Sequence, residues 1–362
     1  MRIVLAAMVG CSSSASDGEG TETESGLPPM TSTTTSTLSQ ETLVVPHSGG
    51  LQLLALDGSV SASWTWTDLA GSCARCGGEG ASPDGDGLLL SFTTGEGGGA
   101  RTGAIARVDA NGDLDFRVDG FGFPHDVIRD PLDDTLIVVE TGADALRWIP
   151  GDGSAESAVR SLTTSDAQFP GNPNGAERVD VGGRSYLLVS HRPNGDGRIT
   201  MWDITDGAPT FVWRFPASGH VATPHGPILR PVGSDWWLLW AHTDGQGRNN
   251  GTVSLAVTSD PTVAPTYVAD LVPGDDVGPF SFFRGVELLT DGRMFLTDSG
   301  GGGGPGGGGA SGRVIEATFP DLEPPATGES GAYGDQVFVP LGDATEIASG
   351  LGMPFEAWYW AR

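Results

Sequence analysis

Apolar residues come in short runs along most of this chain, either unbroken or alternating with polar ones, and Gly, Asp, Asn and Pro separate the runs. A period of two between such turn formers predicts antiparallel hairpins. No stretch after residue 12 sustains a 3.6-residue apolar period, so helices are expected to be essentially absent. The pattern also repeats. Segments beginning Phe123-Pro124-His125-Asp126, Asn172-Pro173-Asn174-Gly175, Thr223-Pro224-His225-Gly226 and Phe282-Phe283-Arg284-Gly285 each run into an apolar strand, a polar turn and a second strand. Those second strands are 136–141 (LIVVET), 186–191 (YLLVSH), 237–242 (WLLWAH) and 294–299 (MFLTDS), and 88–93 (LLLSFT) marks an earlier copy. Third and fourth strands follow, as in 103–118, 197–215 and 251–271. Four antiparallel strands recurring at roughly 50-residue intervals describe the blade of a β-propeller.

Complete copies begin near residues 72, 123, 172, 223 and 282. Residues 42–66 supply three more strands that lack an innermost partner, and 355–360 (FEAWYW) is an apolar strand without neighbours. Joining the two makes a sixth blade from both chain ends, which seals the ring and removes its exposed edge. The expected fold is therefore all-β: a six-bladed β-propeller over residues 41–362, with four antiparallel strands per blade.

Charge narrows the functional classes. Basic residues number 19 and acidic residues 46, for a net −27, and every basic residue is Arg. Without Lys there is no Schiff-base chemistry and no P-loop lysine. The acidity also argues against nucleic acid and against an electrostatic grip on anionic lipid. Met1-Arg2 and a short apolar run end at Gly10-Cys11, the pattern of a bacterial lipoprotein signal with Cys11 as the acylated residue. Residues 12–40 are Ser-, Thr- and Glu-rich and read as a disordered stalk. The expected location is the bacterial cell envelope, on a lipid anchor that is the only membrane contact. Cys73 and Cys76 form a C-x-x-C with no second pair, read as a local disulfide.

Strand order dictates where side chains gather. The start of a blade's first strand and the end of its second share one face of the ring. At the first-strand starts stand His125, Asp126, Asn174, His225 and Arg284. At the second-strand ends stand His47, Glu140, His191, His242 and Asp298, while His220 precedes a first strand on the same side. Polar residues near a dry channel must be paired or wet. They either tie neighbouring blades together or form a site. Asp109-Ala110-Asn111-Gly112-Asp113 has the opening spacing of a calcium loop but lacks its Glu, and reads as a turn. The run 300–309 has no GK[ST], so it reads as an insertion rather than a phosphate loop.

Two sets of residues resemble bacterial arylsulfotransferases: Pro124-His125-Asp126-Val127 leading to LIVVET, and Leu56-Asp57-Gly58-Ser59-Val60 leading to Trp64-Thr65-Trp66. That resemblance implies an exported six-bladed propeller that carries a sulfuryl group on a channel histidine. His125, His225 and Arg284 would be catalytic, and Asn174, Asp126, His242 and Glu140 would bind substrate. The ligands would be an aryl sulfate and a phenol, with no cofactor or metal and a monomeric chain. Two other readings stand beside it. One is a non-catalytic surface propeller that binds a protein ligand at its mouth. The other is a gluconolactonase-like hydrolase whose metal would be held by Asn174, Glu140 and Asp298.

Overall fold

The computed structural model describes residues 41–361 apart from 72–75, 95–101, 131, 193–196, 217–222, 243–251, 273, 275, 279–281, 301–311, 320–337, 352 and 356. The expected leader, Cys11 and the stalk lie outside the described residues. So do Cys73, His220 and most of the Gly-rich run. Cys76 is disulfide-bonded.

The chain opens with β1 (Glu41–His47), β2 (Gly50–Ala55) and β3 (Val60–Thr65), the outer three strands of blade 1. Blade 2 is β4 (Gly77–Asp84), β5 (Gly87–Thr93), β6 (Thr102–Val108) and β7 (Leu114–Gly122). Blade 3 is β8 (Pro124–Asp130), β9 (Thr135–Glu140), β10 (Ala145–Pro150) and β11 (Arg160–Thr163). Blade 4 is β12 (Pro173–Val181), β13 (Arg184–His191), β14 (Arg198–Asp203) and β15 (Thr210–Phe215). Blade 5 is β16 (Pro224–Val232), β17 (Asp235–His242), β18 (Val253–Thr258) and β19 (Thr266–Val272). Blade 6 takes β20 (Phe283–Leu288), β21 (Arg293–Asp298) and β22 (Gly312–Thr318). The chain then leaves it to add β23 (Phe338–Pro340) parallel to β19, before β24 (Ala344–Leu351) completes blade 6. Last, β25 (Trp358–Ala361) pairs with β1 as the inner strand of blade 1.

Each second strand is covered on both faces, because a blade packs between two neighbours. That is why β5, β9 and β13 read as unbroken apolar runs rather than alternation. Six separate cores fill the six gaps, each drawing side chains from two adjacent blades. Leu239 and Leu296 belong to the core between blades 5 and 6, and Leu187 and Ile137 to that between blades 3 and 4. The core between blades 1 and 2 sets Leu51 and Trp360 against Leu90. The sixth joins Leu43 to Phe295 and closes the ring.

Two details depart from the sequence reading. Trp66 ends no strand but opens a one-turn helix, α1 (Trp66–Ala70), because Thr65 and Asp68 form a capping box that satisfies its first amides. The closing strand begins at Trp358 rather than Phe355. Ahead of it, Pro354 bridges to His47 and Trp358 pairs with Val44. One strand thus takes one residue more than its partner, and the surplus lies around Phe355.

Candidate functional site

The same irregularity recurs in every other blade. The inner ladder slips between Gly78 and Gly80, Pro124 and Asp126, Pro173 and Ala176, His225 and Ile228, and Phe283 and Gly285. A bulge frees one residue from the ladder and re-aims its side chain. The residues in or beside these slips, at one mouth of the channel, are Glu79, His125, Asn174, His225, Arg284 and Phe355. In blade 2 the residue before Glu79 must be glycine, since a Cβ at Gly78 would stand 1.7 Å from the Trp66 ring, which fills that space. Blades 2 to 6 thus contribute polar side chains to this ring of positions, and blade 1 contributes Phe355.

The polar side is tightly organised. Asn174 Nδ2 lies 2.7 Å from His225 Nε2, and the His125 and His225 rings stand 5.5 Å apart at 50°. Phe123 meets His125 edge-on at 5.9 Å. The Ser91 hydroxyl from blade 2 holds the His125 carbonyl at 3.0 Å, fixing its backbone. His125 and His225 are each 5% exposed and Asn174 is 4% exposed, so this group is recessed rather than displayed. His225 titrates well below the usual histidine value. Burial is the main cause, and electrostatic repulsion from His125, Arg284 and Arg192 adds to it. It is therefore a neutral imidazole at physiological pH.

Arg284 is half-buried beside this group, with its guanidinium 4.9 Å from the Phe282 ring centre and 4.4 Å from that of Phe355. Arg192, which sequence reasoning missed, follows His191 at the end of a second strand and adds its field to the same mouth. Its signal was that position.

Beneath the mouth runs a line of buried charge. Asp126 accepts from its own blade at Val127 N (2.8 Å) and from the next at Ala176 N (3.3 Å). Glu177 accepts from Leu229 N of blade 5 at 3.0 Å and pairs with Arg230, which donates to Glu287 at 2.7 Å. Burial pushes Asp126 and Glu177 each up to about 7, with like charge from Glu177 and Glu287 respectively adding to it. Asp126 therefore joins blades 3 and 4, rather than facing a substrate as its sequence position suggested.

The second-strand ends are satisfied largely within their own blades, while Glu140 also reaches Gly122 of blade 2. Glu140 accepts from Gly122 N at 2.5 Å and pairs with Arg147. Asp298 accepts from Phe282 N at 2.9 Å and pairs with Arg313 at 3.1 Å. His191 is fully buried between the Gly171 carbonyl (3.0 Å) and Thr200 Oγ1 (2.7 Å), and burial drives it down to about 3. His242 meets Ser254 Oγ, which in turn donates to Asp270. His47 lies half-buried on blade 1, its Nδ1 accepting from Gly49 N. His242 thus stands in a network within blade 5, and Glu140 ties blade 3 to blade 2. The trio Asn174, Glu140 and Asp298 is likewise divided among His225, Arg147 and Arg313. No group of three or more metal-ligating side chains gathers among the described residues. Asp109 forms a turn, accepting from Asn111 N and Asp113 N.

No family model matches the chain, and no curated protein sequence matches it either. Solved structures do. A chain of the nidogen/laminin complex superimposes with a TM-score of 0.54 at 12% identity, covering 88% of this chain and 98% of that one. A "putative 6-phosphogluconolactonase" from Bacteroides fragilis gives 0.50 at 10% identity, covering 90% and 99%. At such identities the likeness extends to the fold alone. The chain is a six-bladed β-propeller, and its own mouth residues must carry any statement about activity.

Proposed function

We propose that the channel mouth binds an aryl ester of an oxyacid and transfers its sulfuryl group in the manner of an arylsulfotransferase. The observation that carries this reading is the recessed pair of imidazoles, 5.5 Å apart, with a neutral His225 anchored by Asn174 and Arg284 beside it. His125 nitrogen attacks sulfur, the aryl S–O bond breaks, and an aryl oxide leaves. An incoming phenol oxygen then attacks the same sulfur, the S–N bond breaks, and the phenol proton passes to the second imidazole. Splitting one displacement into two is the gain of covalent catalysis. Arg284 stabilises charge on the sulfuryl oxygens in a site with little water, and Phe355 offers the aryl body an apolar wall. All of this uses side chains of this chain. With the Cys11 leader, the reading places the chemistry in the cell envelope on a tether.

The test is incubation with p-nitrophenyl sulfate and a phenolic acceptor, following release of the coloured aryl oxide. Turnover by the wild-type protein that disappears in the His125→Ala/His225→Ala double variant supports transfer. Binding of the ester without turnover supports the second reading, a propeller that captures its ligand unchanged. That reading is favoured by Asn174 occupying His225 Nε2.

A further inference from the structure

We infer that Phe282 and Phe355 are positioning residues: both rings pack on the Arg284 guanidinium and fix its orientation, so that it selects ligands offering two oxygens at once. This deepens the proposed function and rests on reading the mouth as an oxyanion site. The rings lie 4.9 Å and 4.4 Å from the guanidinium carbon and come from different blades. Attraction to two aromatic faces restrains the guanidinium plane, in which its N–H groups lie. A planar fork held in one orientation matches a carboxylate, sulfate or phosphate through two parallel hydrogen bonds.

The backbone that carries each ring is tied down. Three consecutive residues at the end of β21 hold both segments. Thr297 Oγ1 donates to the Phe355 carbonyl at 3.1 Å. Asp298 Oδ1 accepts from Phe282 N at 2.9 Å, and Ser299 N donates to the Phe282 carbonyl at 2.9 Å. The Ser299 hydroxyl also holds the Pro354 carbonyl, and Phe355 N donates to Pro46 O at 2.9 Å. One short segment of blade 6 thereby sets the spacing between a ring from its own blade and a ring from the closing strand. The oxyanion reader is complete only when the chain end is in place.

The experiment measures binding of phenyl sulfate and of bromide, a monodentate anion, by titration calorimetry on the full chain and on four variants. Arg284→Ala should abolish phenyl sulfate binding. Phe355→Leu and Phe282→Leu should each weaken it about tenfold while leaving bromide affinity unchanged, and Phe355→Tyr should restore it. The Phe282 variant lies outside the closing strand, so it reports even if Phe355→Leu impairs folding. Loss with Arg284→Ala but wild-type selectivity in both Leu variants would overturn the positioning role of the rings and leave the oxyanion site standing. Undiminished binding in Arg284→Ala would overturn the site itself.

Discussion

Asn174 and His225 are 51 residues apart in sequence and meet across a blade boundary at 2.7 Å. An amide carries both a donor and an acceptor, so Asn174 can hold the ring in either tautomer. It supplies no negative charge to favour the imidazolium. With burial, two nearby arginines and the neighbouring His125 against protonation, His225 stays neutral.

Replacing the amide with a carboxylate should reverse this. In Asn174→Asp, His225 is expected to titrate at a clearly higher pH than in the wild type, and any transfer activity should lose its rate near neutrality. Histidine side-chain NMR across pH 4 to 9 checks it; an unmoved His225 resonance would contradict the account.

The second-strand histidines should behave as structural groups. His191→Ala leaves the Gly171 carbonyl and the Thr200 hydroxyl without their buried partner. The loss is expected to be about 1–3 kcal/mol of stability, read by urea denaturation, with ligand affinity unchanged. His125→Ala should do the opposite, abolishing transfer with little change in the midpoint.

Stability should carry the signature of the buried acids. Asp126 and Glu177 have folded values raised to about 7, so the native state binds more protons than the unfolded chain between about pH 4 and 7. Their contribution is present at low pH and is lost as pH rises through 7. His191 and His225 are lowered, so theirs is present above about 6.5 and is lost as pH falls. The difference variant is Asp126→Asn: its stability should fall less steeply than wild type between pH 5 and 8, measured by chemical denaturation. An identical slope would remove Asp126 from the linkage.

Ring closure is testable at one side chain. Trp360 is buried in the core between blades 1 and 2, on a strand from the far end of the chain. Trp360→Ala should cost about 3–5 kcal/mol, a large share of a typical domain's margin, seen as a lowered thermal midpoint.

Much of this was legible in the residues. Blade count followed from repeated strand pairs, because turn residues and period-two runs are local signals. The Pro-His, Pro-Asn and Pro-His steps at 124–125, 173–174 and 224–225 marked the mouth for the same reason. Pro354-Phe355 carries that step too, yet an apolar side chain drew no notice among polar ones. Trp66 filling the space over Gly78 depends on a helix turn packing against a distant strand, which no local pattern reports. Glu140 and Asp298 shared the sequence position of His191 and His242, but their partners Arg147 and Arg313 stand on third strands. Only the register across the sheet brings those ion pairs together.

The bulges have an evolutionary consequence. A residue expelled from the ladder owes nothing to strand pairing, so its identity can change while the sheet keeps its hydrogen bonds. Six such places face one another around a common axis, each open to a single codon change. A scaffold built this way can exchange one chemistry for another piecemeal, and chains with almost no residues in common can inherit the shape while each furnishes its own pore.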